Sequence, residues 1–145
     1  MLANAVVIGA ATIGAMACGS DLSGPDLNPD FMAGDWSADS LVMTSAANPA
    51  VTADLGALGA TFTLLVEPSG RYTAILEGFG QSSSEIGRLT VDDADVVLMP
   101  ESPAGPESRA PWERVGDSVI LEGDSDFNLD GTTEPATLRQ VLVPR

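Results

Sequence analysis

The sequence predicts an all-β protein built as an eight-stranded antiparallel up-and-down barrel. Three observations carry this expectation. From residue 32 onward, short runs rich in Val, Ile, Leu, Thr and aromatic residues alternate with Gly, Pro, Asn and Asp turn signals. Within the runs, apolar residues recur at every second position, the period of a strand with one buried face. No helical pattern of useful length appears after residue 60. Neighbouring strands joined by tight turns must run antiparallel, and eight in succession form a meander. A flat meander of that length exposes two long edges, and closing it into a barrel removes them. The alternative arrangement of the same strands is a β-sandwich.

The elements follow in order. A first strand is expected over Gly34–Ser45, then a loop, ANPAVTADLGALGA, whose Ala53–Gly59 stretch has room for one helical turn. The second strand, Thr61–Glu67, sets Phe62, Leu64 and Val66 on one face. Pro68-Ser69-Gly70 suits a tight turn, because Pro presets φ and Gly accepts a positive φ. The third strand, Arg71–Phe79, places Tyr72, Ala74, Leu76 and Gly78 together. Ser84–Val91 follows, with Gly87, Leu89 and Val91 on one face, and Asp92-Asp93-Ala94 turns it into Asp95–Met99. After a Pro/Gly/Ser-rich loop, Trp112–Val115 is expected to pair with Ser118–Glu122 across Gly116-Asp117. An acidic loop over residues 124–134 leads into the last strand, Ala136–Val143.

A chain of 145 residues has room for one core. Charge is lopsided: 21 acidic residues against 6 basic ones, all Arg, give a formal net charge of −15. Such a surface repels phosphates, which excludes nucleic acid as a partner. Carboxylates remain available to divalent cations, although most are expected simply to face water. The single Cys cannot form an intrachain disulfide, and the absence of His removes the commonest general base and metal ligand.

The N-terminal segment has its own logic. Residues 2–17, LANAVVIGAATIGAMA, form an uncharged, mainly apolar run. It is shorter than the roughly 20 residues a membrane span requires, and it fits the apolar core of an export signal. Ala15-Met16-Ala17-Cys18 resembles the lipobox of bacterial lipoproteins, with Ala15 where Leu is commoner. That resemblance implies cleavage before Cys18, lipid on its thiol, and a membrane as partner through that lipid. Two or three acyl chains anchor stably where one is marginal. It also implies a cell-envelope location, and Gly19 after the cysteine favours the outer membrane in a diderm source. The alternatives are an ordinary secretory signal or an apolar strand with a buried thiol. The expected organisation is a signal peptide over 1–17, a flexible tether over 18–31 and a barrel over 32–145.

Gly34-Asp35-Trp36 resembles the G-x-W signature of lipocalins, in which the Trp packs across the closed barrel end. The layout is similar to that of small bacterial lipocalin-like domain lipoproteins, which share the lipobox, the G-x-W strand and an Asp-rich Gly-Thr-x-Glu-Pro-Ala turn before an apolar last strand. Here that turn runs from Asp126 to Ala136. The resemblance implies a lipocalin-like barrel with Gly34 and Trp36 at its closed end. It also implies a small hydrophobic molecule as the candidate ligand. The alternative function is a protein-interaction or inhibitor barrel with a filled interior, acting through the loops Ala46–Gly59 and Glu101–Arg109.

Asp126, Asn128 and Asp130 alternate and are followed by Gly131, matching the first half of a calcium loop. The position expected to hold the bidentate Glu is Thr137, so Asp124 and Glu134 become the remaining candidate Ca²⁺ ligands. The alternative is a solvated turn with Asp and Asn capping backbone amides. No enzyme is expected: His is absent, the one Cys is assigned to lipid, and the Ser residues lie in polar loops without a base.

Overall fold

The structure, a computed structural model, describes residues 32–92, 95–127 and 133–145. The leader, Cys18 and the expected tether lie outside the described residues, as do Asp93, Ala94, Asn128 and Asp130.

Nine strands form: β1 (Gly34–Ser45), β2 (Thr52–Asp54), β3 (Thr61–Val66), β4 (Arg71–Gly78), β5 (Gln81–Val91), β6 (Asp95–Ser102), β7 (Ser108–Val115), β8 (Ser118–Phe127) and β9 (Glu134–Pro144). Eight of them pair in the cyclic order β1-β3-β4-β5-β6-β7-β8-β9 and back to β1, every pair antiparallel. The sheet is a closed barrel, as the strand count and the short turns require. Closure is made by β9 on β1, from Trp36↔Pro144 to Ser45↔Ala136.

A bulge at Asp39 interrupts that closing ladder: Ala38 pairs with Leu142 and Ser40 with Val141. One extra residue reverses the alternation. Trp36 and Ala38 therefore face inward before it, and Leu41, Met43 and Ser45 after it. On its other edge β1 pairs with β3 through Gly34–Ser37 and, beyond the bend, with β2 through Val42–Thr44. The stretch read as room for a helical turn supplies β2 and then a tight turn. The Asp54 carboxylate accepts the amide of Ala57, as a cap would, and the chain turns away after Gly59.

The ladders also run further than apolar alternation suggested. Ser82–Ser84 are exposed yet pair with Ile75–Glu77, so β5 starts at Gln81. The turn at Phe79 and Gly80 uses positive φ at both residues, 53° and 74°. The loop between β6 and β7 shrinks to residues 103–107. Backbone pairing needs only amides and carbonyls, so polar residues extend a strand without any hydrophobic signal.

The two barrel ends differ. One gathers the short turns β3–β4, β5–β6 and β7–β8, with the start of β1 and the end of β9. The other gathers the loops 46–60 and 103–107, the β4–β5 turn, the end of β8 and the start of β9. The short-turn end is packed solid. Met32, Trp36, Val66, Tyr72, Leu89, Val96, Val119 and Leu142 are all buried there or just inside it. The Trp36 indole N–H donates to the Met32 carbonyl at 2.8 Å, which fixes the ring across the opening. Gly34 has φ of 145°, a conformation L side chains rarely adopt, at the entry to that strand.

Truncating this plug leaves a cavity among side chains that cannot collapse together. Trp36→Ala is expected to cost about 3–5 kcal/mol in urea unfolding. Trp36→Phe, which keeps a ring but loses the bond to Met32, is expected to cost clearly less.

Candidate binding cavity

The other half of the barrel is not filled. A cavity of about 200 Å³ lies against the inner wall, bounded by Phe62, Leu64, Ala74, Leu89, Leu98, Leu121 and Leu138, with Glu85 and Gln140 as its inner polar groups. Small residues at inward positions leave this space: Ala74, Ala110 and Gly123 line it where bulkier neighbours would close it. The exposed residues Glu107, Arg109 and Asp124 also line it, so it reaches the surface.

The opening follows from strand pairing. β7 pairs with β6 only through Ser108–Pro111 and with β8 only through Trp112–Val115. Below Trp112, β7 and β8 approach without a ladder; a Cβ on Gly123 would lie 3.5 Å from that of Ala110. Arg109 sits at this seam, its guanidinium bonded to Glu107 at 3.0 Å and to Asp92 at 3.1 Å, with Asp95 at 3.7 Å. Trp112, on the same strand, donates its indole N–H to the Asp92 carbonyl at 3.2 Å. These contacts tie β7 to the β5–β6 turn where backbone bonds are few.

Inside, Tyr72 and Glu85 form the polar centre. Tyr72 lies opposite Gly87 across the β4–β5 ladder, and Glu85 lies opposite Ala74. A Cβ on Gly87 would run into the Met99 carbonyl oxygen at 2.3 Å and the Tyr72 ring and hydroxyl at 2.8 and 2.9 Å, so glycine is needed both by the β6 backbone and by the ring lying over it. So placed, the buried Tyr72 hydroxyl donates to Glu85 Oε1. Burial, then the bond to Glu85 and the nearby negative charge, push the Tyr72 pKa well above that of a free tyrosine. The hydroxyl therefore stays protonated and remains a donor.

Of the described residues expected from the sequence, Asp124 alone reaches the cavity, at its exposed rim. Gly34 and Trp36 close the opposite end and touch none of the cavity. Asp124 and Asp126 point outward from β8, opposite Thr137 and Pro135, while Glu134 pairs with Phe127 and so belongs to the other side of the ladder. Among the described residues no three carboxylates gather into a metal-binding group. The residues that sequence reasoning passed over are Glu85, Gly87 and Arg109. For Glu85 a signal existed: extending the Gly87, Leu89, Val91 alternation back by one step puts a carboxylate on the inner face. Nothing in the local sequence marks Arg109, whose partners are set by the barrel.

No family model and no curated protein matches the chain. Among solved structures it is similar to the lipoprotein YedD from Klebsiella pneumoniae subsp. pneumoniae, at 17% identity and a TM-score of 0.39 over 79% of this chain and 73% of that one. The likeness is too remote to carry a ligand, an anchor or a partner from one protein to the other.

Tyr72 is the sole tyrosine, and the chain has no lysine, which leaves a clean alkaline window. Below pH 10 both folded and unfolded tyrosine keep their proton, and stability does not depend on it. Above pH 10 the unfolded chain releases that proton while the folded barrel retains it, so unfolding is favoured as pH rises. Urea unfolding between pH 9 and 11.5 is expected to lose up to about 1.4 kcal/mol per pH unit above the unfolded value. Tyr72→Phe is expected to flatten that slope.

Proposed function

We propose that this protein is a lipid-anchored binding protein of the bacterial cell envelope, not an enzyme, and that its barrel holds one small, mainly apolar molecule. The observation that carries the reading is the cavity of about 200 Å³ in an otherwise close-packed barrel. An apolar protein cavity of about 150 Å³ is large enough to bind benzene, so the space suits a single ring or a short branched chain. The packed end under Trp36 gives the cavity a floor, and the gap between β7 and β8 gives it a route to solvent. The leader and the small residues before Cys18 support the anchor. The sequence has no His, and its one Cys is taken by the lipid in this reading, which removes the commonest base and the strongest nucleophile.

A second reading, a docking barrel without a small ligand, draws on the long-loop end. There Val51, Leu58 and Phe79 are 45%, 53% and 62% exposed. Filling the cavity separates the two. In NMR titrations benzene is expected to shift the resonances of Leu64, Leu89 and Leu121, and Ala74→Leu is expected to abolish those shifts while the barrel stays folded. If benzene leaves the native protein unperturbed, the interior is not a site and the loop end is the surface left to act. The anchor has its own test: labelled fatty acid is expected to enter the native protein in a bacterial host and not Cys18→Ser.

A further inference from the structure

We infer that the molecule held in this barrel carries a compact cationic amine, which binds the second carboxylate oxygen of Glu85; the inference rests on the cavity being a ligand site. Glu85 is the one charged side chain of the cavity wall that is not exposed, since Glu107, Arg109 and Asp124 lie at the rim. Its Oε1 accepts the Tyr72 hydroxyl, and among the described residues nothing donates to Oε2. No arginine comes within ion-pair distance of it either. Arg109, the cation nearest the opening, is taken up by Glu107, Asp92 and Asp95.

A carboxylate drawn away from water without a counter-charge is unfavourable, and a ligand ammonium supplies both the charge and the N–H donors it lacks. The aim of the group is fixed by its neighbours. Tyr72 is packed against Gly87 and holds Oε1, and the small Ala74 opposite Glu85 lines the same cavity. Beyond it the walls are aliphatic and aromatic, including Phe62 and Leu64. The wall is thus mainly apolar, with Glu85 its one charge that is not exposed and Gln140 and Ser108 its neutral polar groups. A formal charge of −15 on the whole chain also enriches cations around the opening.

Three probes of one ring and different head test this: toluene, benzylammonium and benzoate, titrated by NMR into the full barrel domain with its tether. Benzylammonium is expected to bind about tenfold or more tightly than toluene, as a charge-assisted hydrogen bond allows, and benzoate not at all. Glu85→Gln, which can still accept from Tyr72, is expected to bring benzylammonium close to toluene while toluene binding is kept. Glu77→Gln removes the same charge from the outer face of β4 and is expected to leave the preference intact. If toluene binds but benzylammonium gains nothing over it, or if Glu85→Gln preserves the gain, the amine assignment is overturned and the cavity reading stands. A gain lost equally in Glu77→Gln overturns it too, because the preference would then come from net charge. If none of the three probes binds, the cavity reading itself fails.

Discussion

Everything inside this protein depends on the ladder between its first and last barrel strands. The Trp36↔Pro144 and Ser45↔Ala136 pairs are the two ends of a seam joining residues nearly a whole domain apart in sequence. Without that seam the eight strands are an open sheet with one apolar face in water; with it, that face becomes an interior and the edges disappear. The Asp39 bulge belongs to the same constraint. It bends β1, reverses its inward set and lets the strand exchange β3 for β2 along its other edge. The amide of Arg145 finishes the seam on the Asp35 carbonyl at 2.9 Å.

Closure does not dictate whether the interior is full. An eight-stranded barrel encloses a space that side chains fill or that one small ligand occupies, and here the two outcomes divide the barrel between them. Toward the short turns the inward residues are large and meet: Trp36, Met32, Tyr72, Leu89 and Leu142 leave no room. Toward the loops Ala74, Ala110 and Gly123 face inward, and the space they leave is the cavity. Beside it, β7 shares ladders of only four residue pairs with each of its neighbours β6 and β8, so backbone bonds are few in that part of the wall. Arg109 braces that wall through exposed ion pairs, which contribute little stability individually and serve mainly to hold β7 in place.

The polar centre shows how one backbone requirement sets a site. Gly87 is needed because the Met99 carbonyl and the Tyr72 ring together occupy the room a side chain would take. Tyr72 in turn fixes one oxygen of Glu85, and burial keeps its own hydroxyl protonated. The result is a carboxylate on the cavity wall with one oxygen committed to Tyr72, within a strongly acidic chain.

Much of the architecture could be read from residue order, and the reason is local. The alternation of Phe62, Leu64 and Val66 against Tyr72, Ala74 and Leu76, with Pro68-Ser69-Gly70 between, specifies a hairpin that forms with its neighbours alone. The Trp112–Val115 and Ser118–Leu121 pairing across Gly116-Asp117 is legible for the same cause. Strand count and tight turns then leave little choice but an antiparallel meander, and apolar alternation selects its inner face. The sequence by itself therefore determined an all-β meander, its main hairpins and its acidic exterior. What depended on contacts outside each run was invisible to it: β2, the bulge at Asp39, the partners of Arg109 on the β5–β6 turn, and the packing of Tyr72 on Gly87 beside Glu85. The bulge exists only once the sheet has curled round far enough for β9 to reach β1. A cavity is the space left between side chains from several strands, and no single stretch of chain encodes it.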